Sequence, residues 1–165
     1  MKHLTSALIV AAAAILSAAG VSAQNPLTAG SPGIAIAGSV EQSQIPTAVT
    51  ATVAKLYPDA TIARSVIEFE KQIYELTLSN GVEIDITSKG KVKEIEAPKN
   101  KTLDLSVIKA VLPEKTVRHL TDKGYINMVD EIKAKGTKGY KVSLIQNTPD
   151  DIIYDIDGEL IAIEY

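Results

Sequence analysis

The chain reads as an α+β protein, with two tandem helix-plus-antiparallel-sheet repeats and the helices packed on one face of the sheet. Three observations carry that expectation. The stretch from Ile45 to Glu96 and the stretch from Leu112 to Glu164 follow one plan: a Pro-opened helix, an extended segment, a Tyr-led alternating strand, a second alternating strand, a Gly turn and a short last strand. Tyr74 to Leu78 falls on Tyr140 to Leu144, and Ile86 to Gly90 to Ile95 falls on Tyr154 to Gly158 to Ile163. Such long-period self-similarity outranks local propensity as evidence of architecture. Apolar and polar residues alternate in the strand segments, as they do in half-buried strands. Finally, Asn80-Gly81 stands between two alternating runs, where a type I′ hairpin turn needs two residues with positive φ.

Residues 1–23 are expected to be a secretory signal peptide. Lys2 supplies the basic start, Leu8 to Leu16 the apolar stretch, and Val21-Ser22-Ala23 the small-x-small cleavage pattern before Gln24. A membrane anchor would need about 20 strongly apolar residues, whereas this stretch is Ala-rich, interrupted by Ser and followed by no basic stop. The chain has no cysteine, so disulfides, thiolate chemistry and a lipid-modified cysteine are all excluded. A periplasmic or secreted bacterial protein, with no membrane span once the signal is removed, is the expected setting. Residues 24–44 read as a flexible leader of Gly, Ala, Ser and Pro, within which Gly33 to Ala37 has the composition of an edge strand. Residues 45–165 form the domain, with repeat one at 45–96 and repeat two at 103–165.

In repeat one, Pro46 opens a helix whose Val49, Val53, Leu56 and Tyr57 recur at helical spacing until Pro58 stops it. Ile62 to Glu70 is extended. Tyr74, Leu76 and Leu78, then Val82, Ile84 and Ile86, are the apolar positions of a hairpin that Lys89-Gly90 turns into Lys91 to Glu96. In repeat two, Asp104 or Ser106 caps a helical stretch carrying Val107, Ile108, Val111 and Leu112. Pro113 interrupts it and begins a further helical segment that ends at Gly124. Tyr125 to Ala134 is the counterpart of Ile62 to Glu70. Strands at Tyr140 to Ile145 and Ile152 to Ile156, a turn at Asp157-Gly158 and a last strand from Leu160 to Tyr165 complete the unit.

Because side chains alternate across a strand, one face of each half is apolar and the other polar. The polar set comprises Glu75, Thr77, Glu83, Asp85, Lys141, Ser143 and Asp155, and a partner would sit there. A solvated antiparallel face with no role has the same pattern, and composition does not separate the two. The formal charge of −3 gives no pull toward nucleic acid, and the lysines at 89–101 and 133–141 are interleaved with acids or spread through turns. Tyr74, Tyr140 and Tyr154 are expected in the core, and Tyr125 and Tyr165 nearer the surface.

Ile45-Pro46, Leu56-Tyr57-Pro58-Asp59-Ala60, Tyr74-Glu75-Leu76, Asn80-Gly81-Val82-Glu83-Ile84-Asp85 and Gly90, echoed by Leu112-Pro113, Tyr140-Lys141-Val142, Asp155 to Gly158 and Leu160, make residues 45 to 165 resemble the PepSY-like, beta-lactamase-inhibitor-like family of small exported bacterial proteins. Tyr57-Pro58 has no second-half equivalent, since Lys123-Gly124-Tyr125 stands there. The resemblance implies a non-enzymatic module that binds a protein or peptide of the cell envelope, or inhibits a peptidase. A structural or assembly role, by self-association through strand edges, is the alternative. Fold alone does not fix function.

No local motif supplies an enzyme. His119 is the sole histidine after residue 23, so two-histidine zinc sites are excluded and a nucleophile has no evident base. Glu68, Glu70 and Glu131 are the candidates for a carboxylate pair, with no cleft implied by their strand positions. Asp155, Asp157, Gly158 and Glu164 carry part of a calcium-loop spacing, but Ile153 occupies its first position. No metal and no cofactor are expected.

Overall fold

Among the described residues, alternation in the strand segments resolves into a nine-stranded antiparallel sheet whose spatial order is its chain order. The structure is a computed structural model, describing residues 38–40, 42–145 and 149–165. The strands are β1 (Gly38–Ser39), β2 (Ile62–Glu68), β3 (Ile73–Leu78), β4 (Glu83–Thr87), β5 (Val92–Glu96), β6 (Val129–Ala134), β7 (Tyr140–Leu144), β8 (Asp151–Tyr154) and β9 (Leu160–Glu164). The helices are α1 (Thr47–Leu56) between β1 and β2, and α2 (Leu105–Val111) and α3 (Glu114–Asp122) between β5 and β6.

One row of directly opposed residues crosses eight strands: Ser65, Leu76, Ile84, Ile95, Ile132, Val142, Ile152 and Ile163. All but Ile163 are buried. The side chains of Val49 and Val53 from α1, Val107 and Ile108 from α2 and Leu120 from α3 belong to the same hydrophobic cluster as the apolar members of that row. Since α2 touches both α1 and α3, the three helices lie side by side on the apolar face. The repeats meet at β5 and β6 through Glu94 opposite Lys133, Ile95 opposite Ile132 and Glu96 opposite Glu131, so the sheet is continuous across the junction.

The duplication extends to irregularities. The ladder shifts between Ile62 and Arg64 on β2 and between Val129 and Glu131 on β6, and again between Asp85 and Ile86 on β4 and between Ile153 and Tyr154 on β8. Each half also ties a helix to its Gly turn: the Thr52 hydroxyl donates to the Gly90 carbonyl at 2.9 Å, and the Thr116 hydroxyl to the Gly158 carbonyl at 3.4 Å.

Several boundaries differ from those expected. The stretch 125–128 is a turn rather than strand, because Tyr125 N–H and Ile126 N–H bond back to the Leu120 carbonyl at 2.8 and 3.1 Å and Met128 N–H donates to Tyr125 at 2.8 Å. Those donors are no longer free to form a ladder. Strand β8 stops at Tyr154, so Asp155 and Ile156 belong to the following turn. Gly33 to Ala37 lies outside the described residues. The edge strand found is Gly38–Ser39, and with a 3₁₀ turn at Gln42–Gln44 it gives ordered structure to the end of the stretch read as a flexible leader. Tyr74 and Tyr154 are buried, whereas Tyr140 is only half-buried and Tyr165 is 86% exposed.

Gly90 (φ +81°) would place a Cβ 2.7 Å from the Ala48 carbonyl oxygen, while Gly124 (φ +77°) has open space around the same position. A left-handed residue with a Cβ costs about 1–2 kcal/mol. Gly124→Ala should cost about that amount and Gly90→Ala distinctly more, because α1 must also be pushed off the turn. Urea unfolding of both variants checks the difference.

Candidate binding face

The helix-free face carries two rows of opposed side chains. One runs Val66, Glu75, Asp85, Glu94, Lys133, Lys141, Ile153, Ala162, and the other Arg64, Thr77, Glu83, Glu96, Glu131, Ser143, Asp151, Glu164. Six of the seven residues singled out in the sequence, Glu75, Thr77, Glu83, Asp85, Lys141 and Ser143, lie in these rows. Asp155 does not. It follows β8, and its Oδ1 accepts the backbone N–H groups of Asp157 at 2.9 Å and Glu159 at 2.8 Å, so it caps the turn.

The two halves of the face differ in charge balance. In the second, Lys141 Nζ lies 3.0 Å from Asp151 Oδ2, Ser143 Oγ donates to Asp151 Oδ1 at 2.6 Å, and Lys133 Nζ sits 2.5 Å from Glu94 Oε2 and 3.8 Å from Glu131 Oε1. Burial works to raise Asp151, but the hydrogen bonds from Ser143 and Lys141 hold it below its ordinary range. Glu131 is pushed up by burial against the pull of Lys141. In the first half, Glu75, Asp85 and Glu94 stand abreast on three adjacent strands, and like charges directly opposite one another destabilise a sheet. Among the described residues Glu75, Glu83, Asp85 and Glu96 form no ion pair. Burial first, then the Glu94 and Glu75 carboxylates, push Asp85 up to about 6, with Lys133 opposing. A shallow depression of about 220 Å³ over β2–β5 gathers Arg64, Thr77 and five carboxylates, those of Glu75, Glu83, Asp85, Glu94 and Glu96.

Sequence reasoning did not place Arg64, Glu94, Glu96, Glu131, Lys133 and Asp151 on this face, and named Glu131 only as a carboxylate-pair candidate. Extending the alternation from Ile95 and Ile132 to their neighbours would have found Glu94, Glu96, Glu131 and Lys133, since a residue beside an inward one points outward.

The other candidates disperse. Glu68 pairs with Lys71 at 2.7 Å, Glu70 is exposed in the following turn and Glu131 belongs to the lysine network. His119 Nδ1 lies 2.8 Å from the hydroxyl of fully buried Tyr154, ring edge to face, so it serves the core. No group of three or more His, Asp or Glu that could hold a metal ion occurs among the described residues.

The chain is thus a tandem sheet-and-helix module with one open polar face and no assembled catalytic constellation among its described residues. The sequence profile described as "Putative beta-lactamase-inhibitor-like, PepSY-like" matches residues 35–94 and again residues 96–162, and the chain belongs to that family, holding two copies of its unit. Among similar solved structures, a putative periplasmic protein of unknown function from Bacteroides vulgatus is 22% identical with a TM-score of 0.63, covering 78% of this chain and 100% of its own. A putative calcium-regulated periplasmic protein from Bacteroides thetaiotaomicron is 22% identical with a TM-score of 0.63, covering 77% and 95%. A second putative periplasmic protein from Bacteroides vulgatus is 19% identical with a TM-score of 0.64, covering 81% and 100%. At these identities the likeness is one of fold. A comparison with curated proteins gives no match.

Asp85 is raised on folding, so its ionisation opposes the folded state: stability falls as pH rises from the unfolded value of 3.8 through about 6 and is level above. Asp85→Asn should therefore stabilise the protein at pH 7.5 by about 1–2 kcal/mol after allowance for solvent screening, with the gain vanishing below about pH 4. Denaturant melts at the two pH values check this. His119→Ala strands the Tyr154 hydroxyl and should cost about 2 kcal/mol, read by the same melts.

Proposed function

We propose that the protein is an exported, non-enzymatic module that binds a protein or peptide partner through its open sheet face. The carrying observation is the row Glu75, Asp85, Glu94, three carboxylates abreast of which, among the described residues, only Glu94 has a lysine, beside Glu83 and Glu96, which form no ion pair there. Cationic side chains of a partner would relieve that repulsion, and rows of opposed charges favour fast, oriented docking. The signal-like residues 1–23 and the descriptions of the solved relatives as periplasmic support a periplasmic setting. No helix among the described residues is long and apolar enough to cross a membrane. The family description is inhibitor-like and names no reaction.

A second reading, assembly by self-association, is favoured by a separate feature. Strand β9 has no strand on its outer side among the described residues, and Leu160 and Ile161 on it and Tyr165 just after it are 45%, 59% and 86% exposed, an edge without the lysines or prolines that usually protect one.

Glu75 and Glu83 are exposed, so the double variant Glu75→Lys, Glu83→Lys should leave the melting temperature within about 2 °C. It should also abolish retention of a dominant partner from a periplasmic extract by immobilised mature protein. Retention unchanged by the double variant would rule out the face. Concentration-dependent dimers in sedimentation, lost on Ile161→Lys, with no retained partner, would favour self-association.

A further inference from the structure

On the opposite side of the sheet, bordered by residues of α1, α2, β5 and β6, lies a cavity of about 270 Å³. Its origin is local. Helix α2 ends at Val111, before Leu112-Pro113, and Ala110, Ala134, Gly90 and Gly136 line the space it leaves without filling it. Both repeats contribute to the wall.

Two independent properties characterise this space. Its body is apolar: Leu56, Val92, Val111 and Tyr140, which pack on the core yet remain only half-buried, all line it together with the core residue Ile132. Its charge is of one sign. Lys55, Lys91 and Lys93 line it and no Asp or Glu does, in a chain whose net charge is −3. None of the three lysines has an ion-pair partner among the described residues, whereas Lys71, Lys115, Lys133 and Lys141 all do. An apolar body with a few convergent polar groups is the usual character of a small-molecule site, though this one is slightly below the usual size.

We propose that this inter-repeat cavity binds a small amphiphilic anion, an apolar body of about ten carbon atoms with a carboxylate or similar head group held by Lys55, Lys91 and Lys93. Apolar burial supplies the affinity and the lysines select the sign of the head group. The site is independent of the open face, since the helices and the polar rows lie on opposite sides of the sheet.

Sodium decanoate and decyltrimethylammonium, each below its micellar concentration, and decanol, below its solubility limit, are titrated into the mature protein by calorimetry and ¹H–¹⁵N spectra. Decanoate should bind, shifting the amides of Thr52, Gly90, Val111 and Gly136; decanol should bind at least tenfold more weakly, and the ammonium compound should not compete. The double variant Lys55→Glu, Lys93→Glu, whose fold is verified by circular dichroism, should lose decanoate affinity at least tenfold. Ala134→Leu, which fills the cavity but keeps the lysines, should lose it as well. Binding indifferent to the head group, affinity unchanged in the lysine variant, shifts elsewhere, or no decanoate binding at all would overturn the assignment.

Discussion

Everything in this molecule depends on the register of one apolar row, from Ser65 to Ile163, in which each residue lies directly opposite the next across eight strands. Side chains have a period of two along a strand, so a slip by one residue anywhere would turn a strand's leucines and isoleucines to water and its charges toward the helices. Each fully buried Leu or Ile is worth about 1.5–3 kcal/mol, which makes such a slip prohibitive. Because the row passes from Ile95 to Ile132 without interruption, it also forces the two repeats to present their polar positions on the same side.

Within that frame the repeats have diverged in charge while keeping geometry. Aligning Tyr74 with Tyr140 through the strand pairings places Glu75 with Lys141, Thr77 with Ser143, Val66 with Lys133, Arg64 with Glu131 and Asp85 with Ile153. Repeat two pairs its lysines with Asp151, Glu131 and the Glu94 of its neighbour. Repeat one has no lysine in either row, and the result is a half-buried carboxylate at Asp85 that gives up stability at neutral pH. A sheet shaped by folding alone would gain by replacing it.

Much of this was legible in the sequence because alternation and repeat spacing are strong signals. Tyr74-Glu75-Leu76-Thr77-Leu78 states both faces of β3 outright, and Asn80-Gly81 closes the hairpin. What failed were ends, and for a consistent reason: Tyr125 and Ile126 bond back to Leu120 in α3 and Met128 to Tyr125, and Asp155 gives one carboxylate oxygen to the next turn. Neither choice shows in hydrophobic pattern. The face was only partly legible because Glu94 and Lys133, about forty positions apart, meet only once the repeats are docked. The inter-repeat cavity was not legible at all, since it exists where α2 stops short rather than where any motif stands.

The strict chain order of the sheet has a kinetic consequence. From β2 to β9 every strand pairs only with its predecessor and successor, and the longest excursion between paired strands is the one through α2 and α3. Most ladders can therefore form by closing short loops, whose entropy cost is low and grows slowly with length. With no cysteine in the chain, no oxidation step has to be completed along the way. The slow event should be the single long closure that brings β6 against β5, after which the second half can zip outward from the seam.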